Sequence, residues 1–248
     1  MPRLCRHHLR FRPNGRTDMS ALVTAFLPCR EGSERVPRKN LRPFGPFAHG
    51  LVEIKLAQLL ACSEIDHVVL STNDEEILDF AHGLDAPRLT LHRRAEHLAT
   101  NATSTDALVG HARELIATGH ILWTHVTSPF VSASIYGQII AAYRRALAEG
   151  YDSLMTTTLL QSFLWTEAGP LSHDRSIEKW PRTQTLAPVH EVNSAIFLAP
   201  AEVYARHDDR IGARPLLYPL DRLRALDIDW EEDFVIAEQL LLKGLVST

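Results

Sequence analysis

From residue 21 onward, short apolar runs of strand length alternate with segments whose apolar residues recur at helical spacing. That alternation restricts the fold more than any other feature of the chain. Residues 21–27 form the first apolar run. Leu51, Ile54, Leu56, Leu59 and Leu60 then recur at helical spacing within residues 50–62. Residues 67–71 read as a buried strand, and Thr72-Asn73-Asp74 caps a short helix over residues 75–82. Residues 88–92 read as a strand. Ser104 opens a helix over residues 105–118, and residues 121–126 form a strand that ends at Thr127-Ser128-Pro129-Phe130. Ser132 or Ser134 caps a long helix reaching Glu149, and residues 152–158 are a strand again. Residues 193–198 resume the sheet. Residues 225–229 are read as a last short strand, and residues 230–243 as an amphipathic helix that Gly244 stops. The expected fold is α/β: a mostly parallel sheet with helices on both faces.

The rhythm breaks over residues 159–190. Phe163, Trp165 and Trp180 fall among Pro, Ser, Thr and Gln with no period. A structureless segment of this length is unusual inside a compact domain, so it is expected to be an arm or small subdomain that packs elsewhere, on a second chain for instance. The 248 residues, 45% of them hydrophobic and 23% charged, suit one large domain over residues 19–248 that carries this arm.

A net charge of −4 excludes a global basic footprint for nucleic acid. No apolar run approaches the roughly 18 to 20 residues of a membrane-spanning helix. Cys5, Cys29 and Cys62 make neither a CxxC pair nor a metal spacing, and the odd count fits a reducing, cytoplasmic compartment. Cys29 lies beside Arg30, which could lower its thiol pKa, but a small filler under the loop is the favoured reading. Residues 1–18 carry Arg3, Arg6, Arg10, Arg12 and Arg16 with His7-His8, and no apolar segment follows. They are read as a disordered basic tail, or as the product of a start codon placed too early with Met19 the natural start, and not as a secretory signal.

The cations that matter are local. Residues 27–40 follow the first apolar run and hold Arg30, Arg35, Arg38 and Lys39 with Gly32, Ser33, Pro28 and Pro37. Backbone N–H groups near Gly32 and Ser33 can line an anion site, and the flanking cations neutralise the charge. Arg30 offers a planar fork to phosphate oxygens and Lys39 a movable point charge. A solvated surface loop is the competing reading. At the other end, Asp227-Ile228-Asp229 would place two carboxylates on one side of a strand, where they raise each other's pKa or share a hard cation. Asp229 could equally be the N-cap of the following helix.

The run Arg30-x-Gly32-Ser33-x-Arg35-x-Pro37-x-Lys39-Asn40 resembles the signature loop of the CMP-sugar-acid synthetases, the cytidylyltransferases that activate sialic and related nonulosonic acids. Its Lys39-Asn40 ending is closer to the sialic acid branch than to the CMP-Kdo branch. Residues 226–238 resemble the family's metal-binding strand and final helix, and together the two segments are specific. The resemblance extends over roughly residues 21–244 and implies a Rossmann-like nucleotidyltransferase fold with a small dimerisation arm.

It further implies CTP and a nine-carbon sugar acid as substrates, Mg²⁺ held by Asp227 and Asp229, and a homodimer. Arg30, Lys39 and Asp229 would be catalytic, and Leu27, Gly32, Ser33, Asn40 and Ser71 would join Arg30 and Lys39 around the nucleotide. Arg94 and Thr105 match the positions that read the base, although Ser104-Thr105 alone reads as a plain helix cap. His125, Arg182, Gln184 and Asn193 match positions near the sugar acid, with Arg182 and Gln184 serving the neighbouring subunit's site. His125 stands where the family usually has Gln; a neutral imidazole supplies one donor and one acceptor in its place. The sequence identifies no general base. A CMP-Kdo-type or other sugar nucleotidyltransferase, and a non-catalytic nucleotide-binding homologue, remain alternatives; a dinucleotide-dependent dehydrogenase is poorly supported because no GxGxxG follows the first strand.

Overall fold

The computed structural model describes residues 21–248; the basic segment 1–18 and Met19 lie outside it. One seven-stranded sheet runs in the order β3-β2-β1-β4-β8-β5-β9. Its strands are β1 (Val23–Pro28), β2 (His67–Thr72), β3 (Leu89–Arg93), β4 (His120–Thr124), β5 (Ser153–Leu160), β8 (Val189–Pro200) and β9 (Pro215–Leu220). Neighbours pair in parallel except β8, which lies antiparallel between β4 and β5.

Alternate residues of the strands point to opposite faces, and each face has its own helices. Val23, Ala25 and Leu27 of β1 pack with α1 (Gly50–Ala61), α2 (Glu75–Gly83), α4 (Ala133–Ala148) and α6 (Glu231–Leu242). On the other face Phe26, Ile121, Trp123 and Phe197 pack against α3 (Thr105–Leu115) and α5 (Ala201–His207). Local caps set the helix starts. The Asp74 carboxylate accepts from the N–H groups of Glu76 and Ile77, and the Ser104 hydroxyl accepts from Ala107. Gly50 has φ +58° and a Cβ there would meet the Arg42 carbonyl oxygen at 2.0 Å, so only glycine lets α1 begin so close to the preceding turn.

Three expectations change. Residues 225–229 are not a strand: they lie along the 127–129 turn with irregular backbone, joined by the Ile228 N–H to the Thr127 carbonyl at 2.9 Å. The last strand is β9, an edge strand whose Pro215 and Pro219 hide it from a pattern reading. Asp229 does not cap α6. The N-cap residue is Trp230, and the Asp233 carboxylate reaches back to accept from the N–H groups of Asp229 and Trp230. The 159–190 segment is largely irregular, with a two-stranded ribbon of β6 (Trp165–Thr166) and β7 (Gly169–Pro170) and a short 3₁₀ turn at Thr183–Thr185.

α1 carries a fully buried lysine. Lys55 Nζ donates to the Ser128 carbonyl at 2.8 Å and to the Tyr136 hydroxyl at 2.9 Å. One turn on, Gln58 donates to the Pro129 carbonyl at 2.6 Å. These two side chains brace the 127–129 turn from behind. Burial pulls the Lys55 pKa from 10.5 down to about 7, against the opposing pull of Asp227. Between pH 7 and 10.5 the unfolded chain therefore binds more protons at this position than the folded one, and folding stability rises with pH across that window. With divalent cations removed, the wild-type unfolding free energy from urea titration should climb between pH 7 and 9 relative to that of Lys55→Met, by up to about 1.4 kcal/mol per pH unit, and the midpoint with it. Parallel midpoints in the two proteins would refute a titrating Lys55.

Candidate active site

Open α/β sheets bind ligands beyond the carboxyl ends of their strands, where the strand order changes direction. Here that place lies between β1, whose chain moves on to β2, and β4 on its other side. The loop after β1 and the turn after β4 enclose a cavity of about 370 Å³. Arg30, Ser33, Lys39 and Asn40 line it from the first loop, His125 and Thr127 from the second, with Arg94 and Leu108 completing the wall. A second cavity of about 340 Å³ adjoins it across the same loop, lined by Gly32, Arg38 and Asp74 among others.

The loop is held in shape by its own polar groups. Gly32 adopts φ +77°, a left-handed conformation natural to glycine. The Ser33 hydroxyl accepts from the Val36 N–H at 3.3 Å, the Asn73 side chain accepts from the Glu31 N–H at 3.0 Å, and Asn40 donates to the Arg30 carbonyl at 3.0 Å. Arg30 hydrogen-bonds Asn101, which in turn bonds Glu34.

The C-terminal segment meets this loop directly. Lys39 Nζ donates to the Ile228 carbonyl at 2.7 Å and stands 3.9 Å from an Asp229 carboxylate oxygen. Arg35 pairs with the same Asp229 oxygen at 2.8 Å, and its guanidinium lies 5.1 Å from the Trp230 ring centroid. Arg42 grips both carboxylate oxygens of Glu231 at 2.7 and 2.8 Å, and Glu238 accepts from the Gly45 N–H at 2.9 Å. Burial lowers the Lys39 pKa, while Asp229 and Asp227 pull it back up. Asp227 is mostly buried, and desolvation raises its pKa against a hydrogen bond from Thr127; its Oδ1 is buried with no hydrogen-bond partner. An orphaned carboxylate oxygen beside a second aspartate is a donor set that fits a hard divalent cation.

Other sequence-selected residues fall in varied places. Arg94 is buried, lines the cavity and donates to the Cys29 carbonyl. Leu27 is wholly buried in β1, so only its backbone can face a ligand. The Ser71 hydroxyl is buried against His111 at 2.9 Å. Thr105 opens α3 and is exposed; α3 reaches the cavity through Leu108. Asn193 is buried between Thr156 and Thr158, at 2.7 and 3.3 Å. Arg182 and Gln184 are exposed on the arm and do not line this cavity. Cys29 is 2% exposed, and burial pushes its thiol up to about 12, so it is a filler under the loop rather than a reactive group.

His125 departs from the sequence reading. Its Nε2 accepts from the Trp123 indole N–H at 2.9 Å, so its acceptor is already in use. Burial, reinforced by Arg210, Lys55 and Lys39, drives its pKa to about 3 and keeps the ring neutral. Sequence reasoning also missed Lys55, Arg210 and Asp233. Arg35 had been visible only as one more loop cation.

Residues 24–209 match the family model described as Cytidylyltransferase. The chain is 25% identical over 224 residues to a pseudaminic acid cytidylyltransferase of Campylobacter jejuni, covering 87% of this chain and 94% of that protein. It is 24% identical over 235 residues to a CMP-N,N'-diacetyllegionaminic acid synthase of Legionella pneumophila, covering 88% and 96%. Among solved structures, CMP:2-keto-3-deoxy-manno-octonic acid synthetase complexed with CTP superposes with a TM-score of 0.64 at 12% identity, over 90% of this chain and all of that one. A 4-diphosphocytidyl-2C-methyl-D-erythritol synthase from Anaerococcus prevotii gives the same TM-score at 14% identity, over 90% and 96%. At these identities the structural likeness speaks for the fold, and the match over residues 24–209 for the family: the chain belongs to the cytidylyltransferases.

Proposed function

We propose that the protein transfers CMP from CTP to the anomeric hydroxyl of a sialic acid or related nonulosonic acid and releases pyrophosphate. The observation that carries this reading is the direct contact of Lys39 and Arg35 with Asp229 and the Ile228 carbonyl, with Asp227 alongside. The names of the Campylobacter and Legionella relatives support a nonulosonic acid as acceptor.

In this reading Arg30 and Lys39 hold the triphosphate over the first loop, with the N–H groups near Gly32 and Ser33 beneath it. The hydroxyl oxygen of the sugar acid attacks the α-phosphorus as its proton passes to water. The bond from that phosphorus to the bridging oxygen breaks, and pyrophosphate leaves with the electron pair. Such a transfer needs alignment and charge neutralisation more than covalent help from the protein. Asp227 and Asp229 would hold Mg²⁺, which when bound supplies charge neutralisation and a template for the phosphates. Arg35, paired with Asp229 at the loop, would add a further cation beside the phosphates. Buried Arg94 lies where a cytosine edge could be read.

The exposed arm supports a homodimer. Trp180 is 62% and Ile177 84% exposed there, more apolar surface than a lone arm retains comfortably. Arg182 and Gln184, which do not line this chain's own cavity, would then reach the partner's site. Free thiols at Cys29 and Cys62 are in keeping with a cytoplasmic setting.

Pyrophosphate release from CTP or UTP with a panel of sugar acids tests the function. Turnover confined to CTP with nine-carbon acids is expected; preference for the eight-carbon acid would favour the CMP-Kdo-type alternative, and tight CTP binding without turnover on any acid a non-catalytic homologue. Lys39→Ala should lower kcat/KM on the order of 100-fold, and near wild-type turnover at saturating CTP would remove the phosphate role. Asp227→Asn and Asp229→Asn should each lower turnover by about two orders of magnitude or more. They should also weaken Mn²⁺ binding measured by electron paramagnetic resonance, a readout independent of turnover; unchanged Mn²⁺ binding would remove the aspartates as ligands.

A further inference from the structure

Resting on the reading above, we infer that Trp123 locks His125 into the tautomer protonated at Nδ1, so that the imidazole meets the sugar acid as a hydrogen-bond donor only. The direction of the Trp123–His125 bond is fixed by chemistry. An indole N–H can donate and never accept, so Nε2 of His125 must carry the lone pair. A neutral ring then has its proton on Nδ1.

The pair forms because of where β4 ends. Residues two apart on an extended chain face the same side, which places His125, just past the strand, on the side of Trp123. The indole cannot readily turn away. It is 1% exposed, stacks edge-on against Phe26 at 4.9 Å between centroids, and has the Arg210 guanidinium 5.1 Å from its own ring centroid. Arg210 is itself seated on the Phe197 ring at 3.6 Å. The neighbouring cations Arg210, Lys55 and Lys39 oppose any second proton on the imidazole. His125 lines the cavity, and its Nδ1–H is the one hydrogen-bonding group it has left.

A glutamine amide at this position could both donate and accept. His125 cannot, so the group it meets must bring an acceptor oxygen: the carboxylate of the sugar acid, the carbonyl of an N-acyl substituent or a hydroxyl oxygen turned to accept. The lock therefore selects substrates by hydrogen-bond polarity.

Nitrogen-15 NMR of histidine-labelled wild-type protein reads the tautomer without substrate. Expected at pH 7 is a His125 signal pair with Nδ1 protonated and Nε2 bare, and loss of that preference in Trp123→Phe. An Nε2-protonated ring or an imidazolium in the wild type overturns the lock. In steady-state assays Trp123→Phe should raise KM for the sugar acid about three- to tenfold, the size of one neutral hydrogen bond, and leave KM for CTP unchanged. A penalty falling on CTP instead overturns the assignment to the sugar acid. Comparing an N-acylated acid with its counterpart bearing a hydroxyl in place of the acyl amide tests the carbonyl. A penalty lost with the hydroxyl compound assigns the carbonyl, and one kept by both assigns an oxygen the two acids share, the carboxylate or a hydroxyl. If no acid yields pyrophosphate, the substrate assignment falls with the functional reading, and the NMR result still decides the lock on its own.

Discussion

The site depends on one contact between distant parts of the chain: the Lys39 ammonium donating to the Ile228 carbonyl at 2.7 Å. A half-buried ammonium needs partners, because leaving water costs it hydration that only other oxygens can restore. Those oxygens lie on a segment with no regular structure of its own. The segment is placed instead by the Ile228 N–H on the Thr127 carbonyl, by Asp233 across its last two amides, and by Arg42 on Glu231. The cationic loop and the carboxylates thus fix each other's position.

Behind that contact sits a second layer. Lys55 and Gln58 hold the 127–129 turn from the helix side, and the turn presents the Thr127 carbonyl that docks Ile228. An amine so deep, charged or neutral, is a poor source of stability. Its geometry, reaching two backbone carbonyls' worth of turn from one helix face with Gln58, is better understood as placement of the turn than as a contribution to the core.

Much of this was legible from residue order. The alternation of strand and helix patterns located β1 to β5 and every helix except α5, and the Gly-, Ser- and cation-bearing loop after the first apolar run marked one wall of the cleft. What escaped notice did so for physical reasons. β9 escaped because Pro215 and Pro219 suit only an edge, and edges depend on tertiary context. Residues 225–229 looked like a strand because apolar and acidic residues alternate there, yet the backbone makes a single sheet-like bond to the turn. The reversal of β8 has no signature in composition. Nor could spacing reveal that Trp123 occupies the acceptor of His125, since that requires knowing that both side chains leave the same side of the chain's end at β4. Lys55 appears in sequence as one polar residue within an apolar helix, where a solvated position is the ordinary inference.

The reversed strand also dictates an order of assembly. β4 ends at Thr124, and its outer edge finds its neighbour only when β8, beginning at Val189, has been made. Until then the growing chain carries an uncovered row of backbone donors and acceptors along β4, the sort of edge that invites pairing with other chains. β5 waits for the same strand before it can join the first four. The aspartate segment emerges later still, so the Lys39 ammonium finds the Ile228 carbonyl only after the whole sheet has been synthesised.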